Sequence, residues 1–247
     1  MIRTEPGLEG TTGRTRMARL PQLRHWIMLP LLSAALIVAA GLTLASMPAL
    51  TAADFTVDAA LSHDHTPALT GLALFINTVF SPVGGVVMIA ALCLFLLFVR
   101  RSPVNAVATG AVAAAAWVSS EVFKLLVARH RPDAAALFDP LTPEPGTDSF
   151  PSGHTALAVA LAIAVFLLAR GTRWQWPTLV AGTVVALTVA LSRLYLGVHY
   201  PTDVAASFLT SLTGAALITG LWNNYGLLLL ARIPILARFG PIPTPTS

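Results

Sequence analysis

The sequence has 247 residues, of which 55% are hydrophobic and only 11% are charged, and its mean hydropathy is +0.75. Soluble domains carry about 25% charged residues, so this composition excludes an ordinary soluble domain and predicts an all-α polytopic membrane protein. The net charge of +4 comes from arginines scattered along the chain. Nucleic-acid binding needs basic residues gathered on one surface, so no nucleic-acid partner is predicted. The single cysteine, Cys93, excludes an intrachain disulfide.

Residues 1–25 are polar and basic, with five arginines and two acidic residues. We predict a disordered cytoplasmic tail here. The apolar run that follows is longer than the 7–15 apolar residues of a signal-peptide core, which disfavours a cleaved signal peptide. The arginines of this tail are Arg3, Arg14, Arg16, Arg19 and Arg24.

Long apolar runs make up most of the remaining sequence. A transmembrane helix needs roughly 20 apolar residues, and backbone polar groups in lipid must be satisfied within the segment. The sequence therefore predicts a bundle of about six transmembrane helices, at residues 26–49, 83–99, 104–126, 154–169, 177–196 and 204–222. The last run can continue to Leu230 through Asn223 and Asn224.

Two shorter stretches do not qualify as spans. Residues 66–80 are apolar but too short, so we expect them to lie in the interface or to re-enter between helices. Residues 231–239 are expected to form an interfacial stretch, and residues 240–247 a Pro-rich tail. The predicted membrane domain is therefore 26–239, and no feature of the sequence fixes its oligomeric state.

The distribution of basic residues predicts the orientation. If the N-terminus is cytoplasmic, eleven Lys and Arg residues fall on the inner side and four on the outer side. Cytoplasmic loops carry the excess of Lys and Arg, and eight of the acidic residues fall outside. We therefore predict a cytoplasmic N-terminus in a cell membrane, with the polar motifs described next on the extracytoplasmic side.

The first polar motif joins Lys124 to Arg131 and Pro132 at the end of the third run. A spacing of seven residues is two helical turns, about 10 Å, on one face. Lysine as a point charge and arginine as a planar fork could then hold different oxygens of one phosphate. The alternative is that both side chains extend from a helix end to the water. Glu121, one turn before Lys124, could pair with it.

The second motif is Pro151-Ser152-Gly153-His154, directly before the fourth run. Ser152 is a natural N-cap, and Gly153 lets a ligand approach the backbone closely. Free N–H groups at a helix N-terminus form an anion site, into which His154 would point. The alternative is an ordinary cap that precedes a histidine.

The third motif lies between the fifth and sixth runs and comprises Ser192, Arg193, His199 and Asp203. A carboxylate beside an imidazole fixes its tautomer and stabilises its positive charge. A purely structural His–Asp pair is the alternative. Ser192 has no neighbouring base in the sequence, so packing or capping is favoured over a nucleophilic role.

Other histidines are interpreted as structural. His63 and His65 flank Asp64 in the first outer loop, which we interpret as solvated because two or three loop residues make a weak metal site. His130, between Arg129 and Arg131, could assist at the site, but an interfacial residue is favoured, and His25 is interpreted as structural.

Together the three motifs resemble the type 2 phosphatidic acid phosphatase (PAP2) superfamily, whose pattern is K-x6-R-P, P-S-G-H and S-R-x5-H-x3-D. The match is complete from Lys124 to Asp203, about a third of the chain. The resemblance implies a phosphatase that needs no metal or cofactor. It implies His199 as nucleophile, Asp203 as its orienting carboxylate and His154 as general acid. The groups implied to hold the phosphate are Lys124, Arg131, Ser152, Gly153 and Arg193.

Substrate and reaction class stay open at this point. A phosphate at headgroup depth suits phosphatidic acid, phosphatidylglycerophosphate or polyprenyl diphosphate. A phosphotransferase to a lipid or sugar acceptor is a rival that the motifs permit. A vanadate haloperoxidase shares the motifs but is soluble, and a non-catalytic lipid transporter would not need both His154 and His199.

Overall fold

A computed structural model describes residues 13–142, 144 and 146–239. These residues form helices and turns and contain no strand, which confirms the all-α prediction. The helices are α1 (Met28–Ser46), α2 (Pro48–His63), α3 (Pro67–Val79), α4 (Pro82–Leu94), α5 (Pro103–Val127), α6 (Gly153–Ala169), α7 (Gln175–Tyr195), α8 (Pro201–Leu221) and α9 (Leu227–Ala231). A π-helical turn, Phe95–Val99, extends α4, and a second one, Trp222–Gly226, joins α8 to α9.

Helix α6 lies at the centre of the bundle, in contact with α5, α7 and α8. Helix association in lipid depends on close packing of small residues, and glycines provide it here. A Cβ added at Gly182 of α7 would lie 2.8 Å from the Ala162 Cβ of α6. One added at Gly214 of α8 would lie 2.7 Å from the Ser119 hydroxyl of α5. These contacts fix how the polar helix ends meet.

In the part of the chain that the structure describes, five helical segments are long and apolar enough to cross a membrane. They correspond to the first, second, third, fifth and sixth predicted runs. Many of their leucine, valine and phenylalanine side chains are exposed, as expected for surfaces that face lipid, and the chain is a multi-pass membrane protein. The sixth run continues to Ala231 through the turn that holds Asn223 and Asn224, as predicted. The fourth run is α6, which has only 17 residues and is largely buried.

Helix α2 corrects the interpretation of the first outer loop. The segment that was expected to be a solvated loop is helical from Pro48 to His63. Pro48 is in the first turn, where a missing N–H costs nothing. The hydropathy criterion did not detect this helix because Asp54 and Asp58 lie on it. Both carboxylates are turned towards the protein, and Asp58 is 1% exposed.

The expectation of a disordered tail is wrong for the described part of the tail, residues 13–25. The Met17 amide donates to Asn105 Oδ1 at 3.0 Å, and the Trp222 indole donates to the Met17 carbonyl at 2.9 Å. The Leu20 amide likewise donates to Asn223 Oδ1 at 2.9 Å. These side-chain amides satisfy backbone groups of a segment that has no regular partner. Residues 1–12 and the predicted Pro-rich tail, 240–247, lie outside the described residues.

Candidate active site

The three motifs meet at one end of the bundle, opposite the Met17 segment. The Ser152 amide donates to the Asp203 carbonyl at 3.4 Å, and the Ser207 hydroxyl donates to the Ser152 carbonyl at 3.0 Å. A Cβ added at Gly153 would lie 3.1 Å from Lys124 Nζ. The end of α5 and the starts of α6 and α8 are therefore in direct contact.

The N-terminus of α6 has the predicted cap. The Ser152 hydroxyl accepts from the Thr155 amide at 3.5 Å, and Ser152 is fully buried. Gly153 admits the ammonium group of Lys124, which also pairs with Glu121 at 3.0 Å as the spacing suggested. A lysine thus lies beside free N–H groups, an arrangement suited to an anion.

Arg131 and Arg193 form an anion cradle with Glu144 and Asp148. The Glu144 carboxylate bridges the two guanidiniums, accepting from Arg131 Nη1 and lying 3.1 and 3.3 Å from Arg193 Nη2. Arg131 also donates two hydrogen bonds to the Asp148 carboxylate, from Nε at 2.8 Å and from Nη2 at 3.1 Å. These bonds lower the pKa of Asp148 to about 2. Arginine forks bind carboxylate and phosphate in the same way. The cradle therefore holds an internal anion where two guanidiniums converge.

His199 lies in the turn between α7 and α8 and is 1% exposed. Its Nδ1 is 2.8 Å from the Ser149 carbonyl oxygen. Because a carbonyl only accepts, Nδ1 carries the hydrogen and Nε2 keeps its lone pair. Burial, aided by the nearby Arg131 and Arg193 charges, lowers the pKa of His199 to about 4. The imidazole is therefore neutral at physiological pH.

Asp203 does not make the direct hydrogen bond that its spacing suggested. Its Oδ2 is 3.8 Å from His199 Nδ1, beyond hydrogen-bonding distance. Oδ2 accepts instead from the Ser149 hydroxyl and from the Tyr200 amide, the latter at 3.0 Å. Asp203 thus acts on the ring as a nearby buried charge, and the Ser149 carbonyl is the direct partner.

His154 lies in the first turn of α6 and donates from Nε2 to the Asn77 carbonyl at 3.1 Å. The side-chain oxygen of the same Asn77 accepts from Arg193 Nη1. Asn77 belongs to α3, the segment too short to span, which packs against α7. This helix therefore links His154 to the anion cradle.

Four further residues at this site were missed by the sequence analysis: Asn77, Arg129, Glu144 and Ser149. The signal for Asn77 was present, because it is the one side-chain amide in a helix whose other polar side chains are two threonines. Arg129 carried a signal too, as a charge within the first motif that the pattern does not specify. Ser149 acts partly through its backbone, for which sequence gives no signal.

His63 and His65 contact residues other than those of the motifs. His65 is not solvated as expected, because its side chain is 8% exposed and its ring nitrogens contact Asp139 at 3.0 Å and the Tyr195 carbonyl at 2.8 Å. His63 stacks on Phe138 with ring centroids 4.4 Å apart. Within the described residues no group of three or more His, Cys, Asp or Glu is placed to hold a metal ion.

The family model described as "PAP2 superfamily" matches residues 105–226. Undecaprenyl-diphosphatase from Sulfolobus acidocaldarius is 33% identical over 157 residues, 60% of this chain and 68% of that protein. Undecaprenyl-diphosphatase BcrC from Bacillus subtilis is 32% identical over 152 residues, 62% of this chain and 74% of that protein. The chain belongs to the PAP2 superfamily.

A solved PAP2 structure has the same fold. The crystal structure of the transmembrane PAP2 type phosphatidylglycerolphosphate phosphatase from Bacillus subtilis aligns with a TM-score of 0.66 and 23% identity. The alignment covers 79% of this chain and 96% of that one. With relatives that are named phosphatases, the present PAP2 protein is a lipid phosphate phosphatase.

Proposed function

We propose that this PAP2 protein hydrolyses a lipid phosphate or diphosphate on the extracytoplasmic side of the membrane, through a phosphohistidine at His199. The observation that carries the proposal is the state of that ring. Its Nδ1 hydrogen is engaged by the Ser149 carbonyl, so its Nε2 lone pair is available beside Arg131 and Arg193. A neutral nucleophile next to converging cations suits attack on an anionic phosphoryl group.

In the first step the Nε2 lone pair attacks phosphorus, and the bond from phosphorus to the leaving oxygen breaks. For this step His154 must be an imidazolium: its Nε2 hydrogen stays on the Asn77 carbonyl, and its Nδ1 proton goes to the leaving oxygen, so that a neutral alcohol or a protonated phosphate group leaves. Lys124, Arg131 and Arg193 hold the other phosphoryl oxygens, with Arg131 and Arg193 exchanging Glu144 for substrate. The phosphorylated ring keeps its Nδ1 hydrogen and is positively charged, and the buried Asp203 stabilises that charge.

In the second step water attacks the phosphohistidine. His154, now neutral, takes the proton from water, and the bond from phosphorus to Nε2 breaks. Inorganic phosphate leaves, and the His199 lone pair is restored. Dividing the reaction in this way replaces one difficult displacement by two easier ones.

Polyprenyl diphosphate is the substrate that we favour among lipid phosphates. Two of the relatives described above are named for undecaprenyl diphosphate, whereas the protein of the solved structure is named for phosphatidylglycerolphosphate. The exposed apolar helices that surround the site would keep a long lipid chain in the bilayer while its phosphate reaches the cradle.

A substrate panel tests this function. Detergent-purified protein should release inorganic phosphate from polyprenyl diphosphate faster than from phosphatidylglycerophosphate or phosphatidic acid. EDTA should leave the rate unchanged, because the charges that hold the phosphate are side chains. Absence of phosphate release from every lipid, or loss of activity in EDTA with recovery in Mg²⁺, would contradict the proposal. A product that forms only with an acceptor lipid or sugar would instead indicate a transferase.

Cysteine labelling tests the orientation. The Met17 segment packs at the Asn105 end of α5 and the site lies at the Lys124 end, which supports opposite sides for the N-terminus and the chemistry. In a Cys93→Ser background, a cysteine at the exposed Ala135 should react with an impermeant maleimide on intact cells. A cysteine at the exposed Arg173 should react only after permeabilisation, and the reverse pattern would place the site in the cytoplasm.

A further inference from the structure

A second group of charges lies on the Nδ1 side of His199, where Asp203 Oδ2 is 3.8 Å from that nitrogen. This buried cluster consists of Arg129, Asp54, Asp58 and Asp203. Its members come from three places in the chain: α2, the turn after α5, and the start of α8. Arg129 is 2% exposed, Asp58 1% and Asp203 0%. Burying such charges costs desolvation free energy unless each charge is paired with an opposite one.

The guanidinium of Arg129 joins two carboxylates from different helices. Nη1 donates to Asp203 Oδ1 at 2.7 Å, and Nη2 donates to Asp54 Oδ2 at 3.0 Å. Nη1 also donates to the Thr202 hydroxyl at 2.7 Å, and this hydroxyl in turn donates to Asp54. The guanidinium lies 4.1 Å from the centre of the Tyr200 ring. Both terminal nitrogens of Arg129 are therefore held, while its buried Nε has no hydrogen-bond partner among the described residues.

Arg129 also reaches His199 through Ser149. The Ser149 amide donates to the Arg129 carbonyl at 3.1 Å, while the Ser149 carbonyl accepts from His199 Nδ1 at 2.8 Å. The Ser149 hydroxyl donates to Asp203 Oδ2. The side chain of Arg129 thus fixes Asp203, and its backbone fixes Ser149. Asp203 and Ser149 are the two residues that hold the nucleophilic ring of His199 in place.

We propose that Arg129 is a positioning residue for phosphoryl transfer, which holds Asp203 and Ser149 in the places that orient His199 and stabilise its phosphorylated, cationic form. The inference rests on the proposed phosphohistidine mechanism. It assigns a function to a residue that the three motifs do not specify. It also makes α2, through Asp54, part of the machinery that supports the reaction.

The charge balance of the cluster agrees with this role. Neither Asp58 oxygen has a hydrogen-bond partner among the described residues, and burial, together with Asp203 and Asp54, raises the Asp58 pKa to about 8. A neutral Asp58 leaves one guanidinium facing two carboxylates, an excess of one negative charge. Phosphorylation makes the His199 ring cationic, while the negative charges of the attached phosphoryl group face Lys124, Arg131 and Arg193, so the ring charge offsets the excess of the cluster. The cluster therefore stabilises the phosphorylated intermediate more than the resting enzyme. Interactions that strengthen along the reaction accelerate it, whereas interactions that are equally strong in the ground state do not.

Arg129→Gln and Arg129→Lys test the role of the guanidinium. Arg129→Gln should lower kcat, per monodisperse protein, by about 10–100-fold, the loss that follows removal of groups that orient a reactive ligand. KM and the inhibition constant of inorganic phosphate should stay within about threefold, because Lys124, Arg131 and Arg193 are untouched. Arg129→Lys keeps the charge without the fork and should recover part of kcat.

The matched control is His130→Gln, the next residue in the same turn, whose side chain is exposed. It should match the wild type in kcat and KM.

A second substrate tests the same role. Arg129→Gln should lose as much turnover on p-nitrophenyl phosphate as on lipid substrate, since attack by His199 is common to both.

A charge-balanced variant distinguishes a loss of catalysis from a loss of folded protein. If Arg129→Gln is not monodisperse, Arg129→Gln/Asp54→Asn removes one cation and one carboxylate together and should be recovered in folded form, still with reduced kcat. A purely structural role predicts a lower folded yield with kcat per folded molecule unchanged, and that result would overturn the inference. Wild-type protein that releases no phosphate would instead refute the proposed function itself.

Discussion

The anion cradle and the buried cluster are built from the same chemistry, arginines paired with carboxylates, and they differ in burial. In the cradle the carboxylate side chains are accessible, Glu144 at 30% and Asp148 at 51%. In the cluster Asp203 is 0% and Asp54 10% exposed. An accessible ion pair is worth about 0–1 kcal/mol and exchanges readily, whereas breaking a buried one leaves an uncompensated charge. From this comparison we expect the cradle to exchange its internal carboxylate for another anion more readily than the cluster exchanges its partners.

His199 stands between the two regions, and its removal should have the largest effect. His199→Ala should reduce turnover by at least about 10³-fold while the protein still inserts and purifies as a folded species, because neither region can act without a nucleophile. Phosphate release from lipid substrate measures this. If the variant retained more than a few per cent of the wild-type rate, His199 would not be the nucleophile, and neither region would act through it.

His154 tests the side of the site that faces the leaving group. General acid catalysis contributes about 10²–10⁴-fold, and p-nitrophenolate needs little protonation. His154→Ala should therefore lose much less activity on p-nitrophenyl phosphate than on a lipid alkyl phosphate, under conditions where phosphoenzyme formation limits the rate. Equal losses on the two substrates would assign His154 to phosphate binding or to structure.

Glu144 tests the exchange in the cradle, with the smallest expected effect. Glu144→Gln removes the internal competitor for Arg131 and Arg193, so KM should fall by up to about fivefold with kcat unchanged. Asp139→Asn is the control, since Asp139 is a similarly accessible carboxylate that pairs with His65 instead. An unchanged KM together with a lower kcat in Glu144→Gln would show that Glu144 supports the site and does not compete with substrate.

The two regions also differ in how well sequence predicted them. Lys124, Arg131 and Arg193 were identified because charge beside long apolar runs is conspicuous. The expected two helical turns on one face do not join Lys124 to Arg131, however, because α5 ends at Val127 and Arg131 follows in the turn. The buried cluster was not predicted, because its contacts join α2 to α8 and the sequence alone does not show that these two helices are in contact. Asp54 and Asp58 even concealed α2 by lowering its hydropathy.

Backbone groups set a second limit on sequence reasoning. The direct partner of His199 is a carbonyl oxygen, which every residue possesses, so the residue type of Ser149 does not indicate it. The spans, by contrast, follow from apolar length alone, and α5 was predicted to within one residue at each end. What hydropathy could not predict was the packing of the Met17 segment, which depends on side-chain amides of distant residues.

The most direct test of the central claim is to trap the phosphoenzyme and locate its phosphate. Wild-type protein mixed with radiolabelled lipid diphosphate and quenched in alkali should carry label that survives alkali, is lost in acid and maps by mass spectrometry to His199. The His199→Ala protein should carry none. Active wild-type protein without any phosphoenzyme under rapid quench, or with label on another residue, would contradict the account.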